Sequence, residues 1–239
     1  MMALSVGSAG AIDLTVSAAA SLTNAFQEIG KAYEKAHPGD KVLFNFGASG
    51  SLLQQISRGA PVDVFASADL ETMDRAEKQN LIVRDARANF ASNKLVLVVP
   101  ATASLAVARL EDLQNDAIQR IAIGIPESVP VGRYTKGVLE RLKLWELLQP
   151  KMIFAQNVRQ CLDYVARGEV DAGFVYATDA RSNADKVKVA MEVPVETPIL
   201  YPVAVVKGNG NERAARRFVD FVRSSAGQQI LGKYGFGAP

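Results

Sequence analysis

The 239-residue chain holds one cysteine, one histidine and one tryptophan. A lone cysteine, Cys161, cannot close an internal disulfide or build a metal cluster. Its setting, "CLDYVA", reads as packing on an apolar helix face. The only histidine, His37, falls in the helix end "KAHPGD", which leaves no natural partner for a Ser-His-Asp arrangement. Neither sign of charge dominates, since 27 basic residues stand against 25 acidic ones for a formal net charge of +2. That balance excludes the basic footprint of a nucleic-acid or membrane-surface protein. The densest basic stretch, "ERAARRFVDFVR" at Glu212–Arg223, sets its arginines opposite an apolar face and reads as a solvated helix surface. No apolar run is long enough to span a membrane. Neither GxxxxGK nor GxGxxG occurs.

What is present is alternation. "IDLTVSA" reads as a strand, and "SLTNAFQEIGKAYEKAH" as a helix with apolar residues at Leu22, Ala25, Phe26, Ile29, Tyr33 and Ala36. Ser21 is positioned to N-cap that helix, and His37-Pro38-Gly39 to stop it. "KVLFNFGA", "SGSLLQQISRGA", "VDVFASA" and "DLETMDRAEKQNLI" continue the βαβαβα order, the last helix capped by Asp69. A second series starts at "NKLVLVVPA". It has strands at "RIAIGIP", "KMIFAQ", "DAGFVYA" and "VKVAMEV", and helices near residues 105–113, 132–148 and 158–167. "TPILYPVAVVKG" and one last helix, "NERAARRFVDFVRSSAGQQILGKYG", follow.

The expected fold is α/β with two lobes, each a mainly parallel sheet flanked by helices, joined by two crossing segments. Lobe 1 comprises residues 12–92 plus 199–239, and lobe 2 comprises residues 93–198. Residues 1–11, "MMALSVGSAGA", end like a secretory signal but lack its basic start, so they read as a signal remnant or a disordered start.

Ligands of parallel α/β sheets bind outside the carboxyl ends of the strands. Three junctions there share one form of strand, small residues, hydroxyl and helix. They are "SAAASL" with Ser21, "GASGSL" with Ser49 and "ASADL" with Ser67. A helix start offers unpaired N–H groups and the positive end of the macrodipole, which together attract an anion. N-capping alone explains each serine singly; three on one rim point toward a ligand. The second series adds "VPVGRY", with the N–H groups of Val131 and Gly132 at a helix tip. It also adds "NVR", with Asn157 as cap before Val158, and "GFVY", ending in the phenol of Tyr176. "GASGS" is not a nucleophile elbow, because Ser51 stands where the second glycine belongs. Asp63, Asp69, Asp163, Asp171 and Asp179 show no metal-ligand spacing.

In this order and over residues 12–236, "AAASLTNAF", "FGASGSL", "GAPVDVFASAD", "VPVGRY", "NVR", "GFVYATDA", "YPVAVV" and "KYGF" resemble the molybdate-binding proteins of bacterial ABC-type importers. The resemblance implies a periplasmic, soluble and monomeric binding protein, not an enzyme. It would need no cofactor, take molybdate or tungstate as ligand and have a membrane permease as partner. It implies hydroxyl and N–H contacts from Ser21 and Ser49, N–H contacts from Val131 and Val158, and a hydroxyl contact from Tyr176. No direct metal ligand is implied, because the ion is held through its oxygens. Val131 stands where the family often has alanine, a change that spares the N–H. Ser67 is not a contact in that pattern and becomes a cap or supporting residue. Arg133 and Arg159 adjoin two contacts and read as orienting or steering groups. Selectivity over sulfate would rest on cavity size. The rivals are a carrier of sulfate or another small oxyanion, a hydrolase or transferase using Ser49, a sensing module and a ferric-ion carrier. The last would want Tyr134, Tyr164 and Tyr176 adjacent, and they are not.

Overall fold

The computed structural model describes residues 12–104 and 107–239. The reading of residues 1–11 therefore lies outside the described residues.

Two five-stranded sheets organise the chain. The first contains β1 (Ile12–Ala19), β2 (Asp40–Gly47), β3 (Val64–Ala66), β4 (Ala88–Asn93) and β10 (Ile199–Val205), in the order β2-β1-β3-β10-β4. The second contains β5 (Leu95–Pro100), β6 (Ile121–Gly124), β7 (Met152–Ala155), β8 (Ala172–Tyr176) and β9 (Val187–Val193), in the order β7-β6-β8-β5-β9. Pairs among β1, β2 and β3, and among β6, β7 and β8, are parallel as expected. The pairs made by β10 and by β5 are antiparallel, so each sheet is mixed.

The crossings explain this mixture. Only Lys94 separates β4 from β5, so the chain steps directly from one sheet into the other. A strand that ends at the facing edge of one sheet must enter the other sheet from its facing edge. It then runs against the strands that finish there, and Leu95 accordingly pairs with Tyr176, the last residue of β8. The return from β9 to β10 repeats the geometry, and β10 opposes β3. As a result β1, β2, β3, β6, β7 and β8 all deliver their carboxyl ends to the space between the sheets.

Helices flank the sheets, and those between β1 and β4 and most of those between β6 and β9 start directly after these ends. They are α1 (Thr23–Ala36), α2 (Ser49–Ser57), α3 (Leu70–Lys78), α4 (Pro130–Arg141), α5 (Trp145–Leu148), α6 (Val158–Ala166), α7 (Ala177–Ser182), α8 (Glu212–Arg223) and α9 (Ser225–Lys233). α1 buries Ala25, Phe26, Ile29 and Tyr33 of the 3.6-period face read from the sequence, together with Gly30, whereas Ala36 of that face is exposed at the helix end. Phe26 meets the rings of Phe44, Phe90 and Phe218 at centroid distances of 5.6–6.3 Å. Phe218 comes from α8, so the C-terminal helices return to the first sheet. The outer face of α8 carries the expected solvated charges, with Arg216 paired to Asp85 and Glu212. Cys161 is fully buried on α6.

Several helix boundaries differ from expectation. The single helix expected over 132–148 starts at Pro130 and breaks after Arg141, where Lys143 takes a φ of 59° and Leu144 N–H closes back on the Leu139 carbonyl. The last helix is two, divided at Ser224, whose hydroxyl accepts from Gly227 N–H to cap α9. Of the helix expected near 105–113, the described part is a 3₁₀ turn at Leu110–Gln114.

Candidate functional site

Four helix starts and one strand end meet between the sheets. Ser21 lies in a 3₁₀ turn, Ala20–Leu22, that links β1 to α1. Ser49 and Val158 are the first residues of α2 and α6, and Val131 is the second of α4. The first N–H groups of a helix have no partner within it. Pro130 has no N–H to offer, so Val131 supplies the first donor of α4. Asn157 caps α6 as expected, but its side chain accepts from Gln160 N–H and leaves the Val158 N–H outside the cap.

Ser21, Ser49, Val131, Val158 and Tyr176, together with Asn157, line one small, narrow cavity. None of its lining side chains carries a charge. All five residues are buried: Ser21 is 2% exposed, Ser49 and Val131 0%, Val158 4% and Tyr176 1%. A wider groove lies between α3, α4 and residues 195–198, but it is lined by charges of both signs and lacks these five residues.

The hydroxyls are differently engaged. Ser21 does not cap α1, whose cap position is Leu22; its Oγ lies 3.0 Å from the Tyr201 hydroxyl instead. The intervening 3₁₀ turn moves the cap position one residue on, from Ser21 to Leu22, and turns Ser21 toward the core. Ser49 Oγ accepts from Ala68 N–H at 3.1 Å, which leaves its own proton to donate. The Tyr176 hydroxyl donates to the Ala68 carbonyl at 3.4 Å, a long hydrogen bond. Burial raises the pKa of Tyr176 well above the ordinary phenol value, so the group keeps its proton. Ser67 is a supporting residue: its hydroxyl donates to Asp69, which caps α3 by accepting from Thr72 N–H.

The halves touch around the cavity. Gly50 N–H donates to the Ser128 carbonyl at 2.9 Å. A Cβ on Gly50 would sit 2.7 Å from that oxygen, so only glycine permits the approach. Gly132 has a similar role within the second half, where a Cβ would fall 2.0 Å from the Gly124 carbonyl oxygen. Arg133 reaches across from α4 to Asp69 at 2.8 Å and to Thr72 Oγ1 at 2.9 Å. Arg159 Nε lies 2.7 Å from Asp179, and its Nη2 lies 3.4 Å from the Ser21 carbonyl. Burial of Asp179 outweighs the nearby guanidinium and pushes its carboxyl pKa up to about 6. Both arginines are thus paired with carboxylates and lie outside the cavity lining, and both reach the other half, Arg133 at Asp69 and Arg159 at the Ser21 carbonyl. The cross-links through Asp69, Thr72 and Ser128, and the contacts of Tyr201, carried no signal in the sequence beyond ordinary capping and core residues.

Two α/β halves joined by two strand crossings, with a donor-lined cavity between them, define a two-lobed solute-binding protein. The chain belongs to the bacterial extracellular solute-binding protein family, whose model matches residues 14–237. It is 38% identical to the putative ABC transporter substrate-binding lipoprotein YvgL of Bacillus subtilis over 95% of this chain and 87% of that protein. It is 37% identical to the molybdate-binding protein ModA of Escherichia coli, over 93% and 88% of the two chains. The solved periplasmic molybdate-binding protein of Azotobacter vinelandii superposes with a TM-score of 0.82 at 25% identity, covering 95% of this chain and 99% of that one.

Proposed function

We propose that this chain captures molybdate, and tungstate with it, in the cavity between its lobes and delivers it to the membrane permease of an ABC importer. The observation that carries this reading is the convergence of helix starts from both lobes, with a phenol, on a cavity lined without a charged side chain. A fully deprotonated tetrahedral dianion only accepts hydrogen bonds, so a set of donors suits it. Backbone N–H groups of Ser21, Ser49, Val131 and Val158, the hydroxyls of Ser21 and Ser49, and the Tyr176 hydroxyl once its single proton turns from the Ala68 carbonyl, form that set. Buried dipoles neutralise the ion without a formal counter-charge.

Residues 12–92 with 199–239, and residues 93–198, move as two lobes about the crossings at residues 93–95 and 194–199. Ligand held by both favours the closed arrangement, because only that arrangement makes every contact. The protein acts as a monomer in the periplasm, without a cofactor and without turnover. Similarity to molybdate-binding relatives supports the ligand. Selectivity would rest on size, since donors spaced for a larger ion would meet sulfate with stretched bonds.

Isothermal titration with molybdate, tungstate, sulfate and phosphate tests the reading. One tight site for the first two ions, with the others far weaker, is expected. Equal binding of all four would reject the selectivity, and tightest binding of sulfate would reassign the ligand.

A further inference from the structure

The Ser21 hydroxyl is held from behind by a chain of groups that do not line the cavity. We infer that Asn93 and Tyr201 are positioning residues that force the Ser21 hydroxyl to act as a donor toward the cavity, and so make the site refuse protonated anions. The inference rests on the oxyanion reading above.

The direction of each bond follows from the one before it. Lys94 N–H donates to Asn93 Oδ1 at 2.9 Å, which fixes the orientation of the amide. The Asn93 nitrogen, a donor only, then faces Thr178 Oγ1 at 2.9 Å and the Tyr201 hydroxyl at 3.2 Å. Tyr201 Oη therefore accepts from Asn93 and has one proton to give. Ser21 Oγ, 3.0 Å away, receives it. Having accepted there, Ser21 points its own proton elsewhere, and the cavity is on its open side. Tyr201 is fully buried and Ser21 nearly so, so water does not compete for these bonds. Burial also keeps the Tyr201 phenol protonated.

The placement joins the lobes. Asn93 ends β4 at the first crossing, Tyr201 lies in β10 just after the second, and Thr178 belongs to α7 of the other lobe. The polarity of the Ser21 hydroxyl is thereby set by the crossing strands. Hydrogen phosphate carries a proton that needs an acceptor, and the relay withholds Ser21 from that role.

Two nearly isosteric variants test this. Asn93→Asp replaces the donor with an acceptor, so Tyr201 turns its proton to residue 93 and Ser21 donates to Tyr201, exposing a lone pair to the cavity. Wild-type protein is first titrated with molybdate, tungstate and sulfate, and the tightest ion is carried forward. The molybdate assignment can thus fail without obscuring the relay, whereas a wild type that binds none of the three ends both readings. The variants are then titrated with that ion and, by competition, with phosphate at pH 8. There the chosen ion and phosphate are both dianions, and added charge at residue 93 weakens both alike. Asn93→Asp is expected to weaken the chosen ion at least tenfold and to narrow its preference over hydrogen phosphate by a similar factor. Tyr201→Phe, which frees the Ser21 rotor, is expected to weaken the chosen ion about tenfold with a smaller change in preference. Circular dichroism confirms folding, and either folded variant suffices. Wild-type affinity in a folded variant would overturn the inference. So would an equal loss for both ions, which is the mark of a merely structural role, with phosphate taken to concentrations at which it competes measurably in the wild type.

Discussion

The two lobes present the same kind of rim by different means. In the first, Ser21 and Ser49 bring a side-chain hydroxyl beside the backbone N–H, and each hydroxyl already has a partner behind it. In the second, Val131 and Val158 bring the N–H alone, on helices whose starts are set by Pro130 and by the Asn157 cap. The first rim is therefore written in side chains and the second mostly in backbone, with the Tyr176 phenol and the capping Asn157 amide as its polar side chains. An identical chemistry of donors can thus depend on residue identity on one side and be almost blind to it on the other.

Deleting a donor without touching its side-chain chemistry is the sharpest way to expose that contrast. Val158→Pro removes an N–H at the first position of α6, where proline is favoured, and Asn157 before it is already extended. The expected loss is roughly 1.5–3 kcal/mol of binding, as for a hydrogen bond to a charged group, which at its upper end exceeds a hundredfold in the Kd for molybdate. Val158→Ala keeps the N–H and should bind like wild type, although the loss of two buried methyl groups lowers stability by about 2 kcal/mol. Titration calorimetry of the pair decides the matter; equal affinity in both would break the backbone assignment. Ser21→Ala is the counterpart on the other rim. It loses one hydroxyl and keeps its N–H, so about a tenfold loss is expected, at the lower end of the same range.

A third substitution acts on the meeting of the lobes rather than on either rim. Gly50→Ala places a methyl 2.7 Å from the Ser128 carbonyl oxygen and leaves all the proposed donors in place. Overpacking of this kind costs about 1 kcal/mol or more, so the Kd should rise roughly fivefold. Small-angle scattering should show a less compact ligand-bound form. Unchanged affinity would mean that the two halves bind without the approach seen at Gly50.

Much of this was readable along the chain because each site residue sits at a junction with a local signature. "AAAS", "GASGS", "VPVG" and "NVR" mark strand ends and helix starts by small residues, hydroxyls, proline and Asn157. Tyr176 closes an apolar strand at the same level. What was hidden depends on contacts between distant segments. Ser21 has the sequence of a cap, yet the 3₁₀ turn and the buried Tyr201, 180 residues away, claim its hydroxyl. Arg133 and Asp69 each look like an ordinary helix-terminal charge until the lobes face each other. The antiparallel entry of β5 and β10 follows from where the chain crosses, which no local pattern encodes.

The smallest expected effect concerns the Arg159–Asp179 pair, which backs the Val158 helix start and touches Ser21 from the other lobe. Burial raises the Asp179 carboxyl to about 6, above its ordinary 3.8, despite Arg159. The folded state then holds that proton more tightly than the unfolded chain does. By linkage, this group makes the protein more stable as pH falls from about 7 through 6 toward 3.8, and the penalty is fully present above 6. Asp179→Asn has no such titration, while every other carboxylate is shared by the two proteins and cancels in the difference. Between pH 7 and pH 5 the wild type should therefore gain on the variant by roughly 1 kcal/mol, or about 2–4 °C in Tm for a chain of this size. Differential scanning calorimetry of both proteins at the two pH values measures it. A difference that stays constant, or moves in the variant's favour at pH 5, would mean that Asp179 is fully stabilised as a carboxylate by Arg159. The second rim would then depend on a side-chain charge pair as closely as the first depends on its hydroxyls.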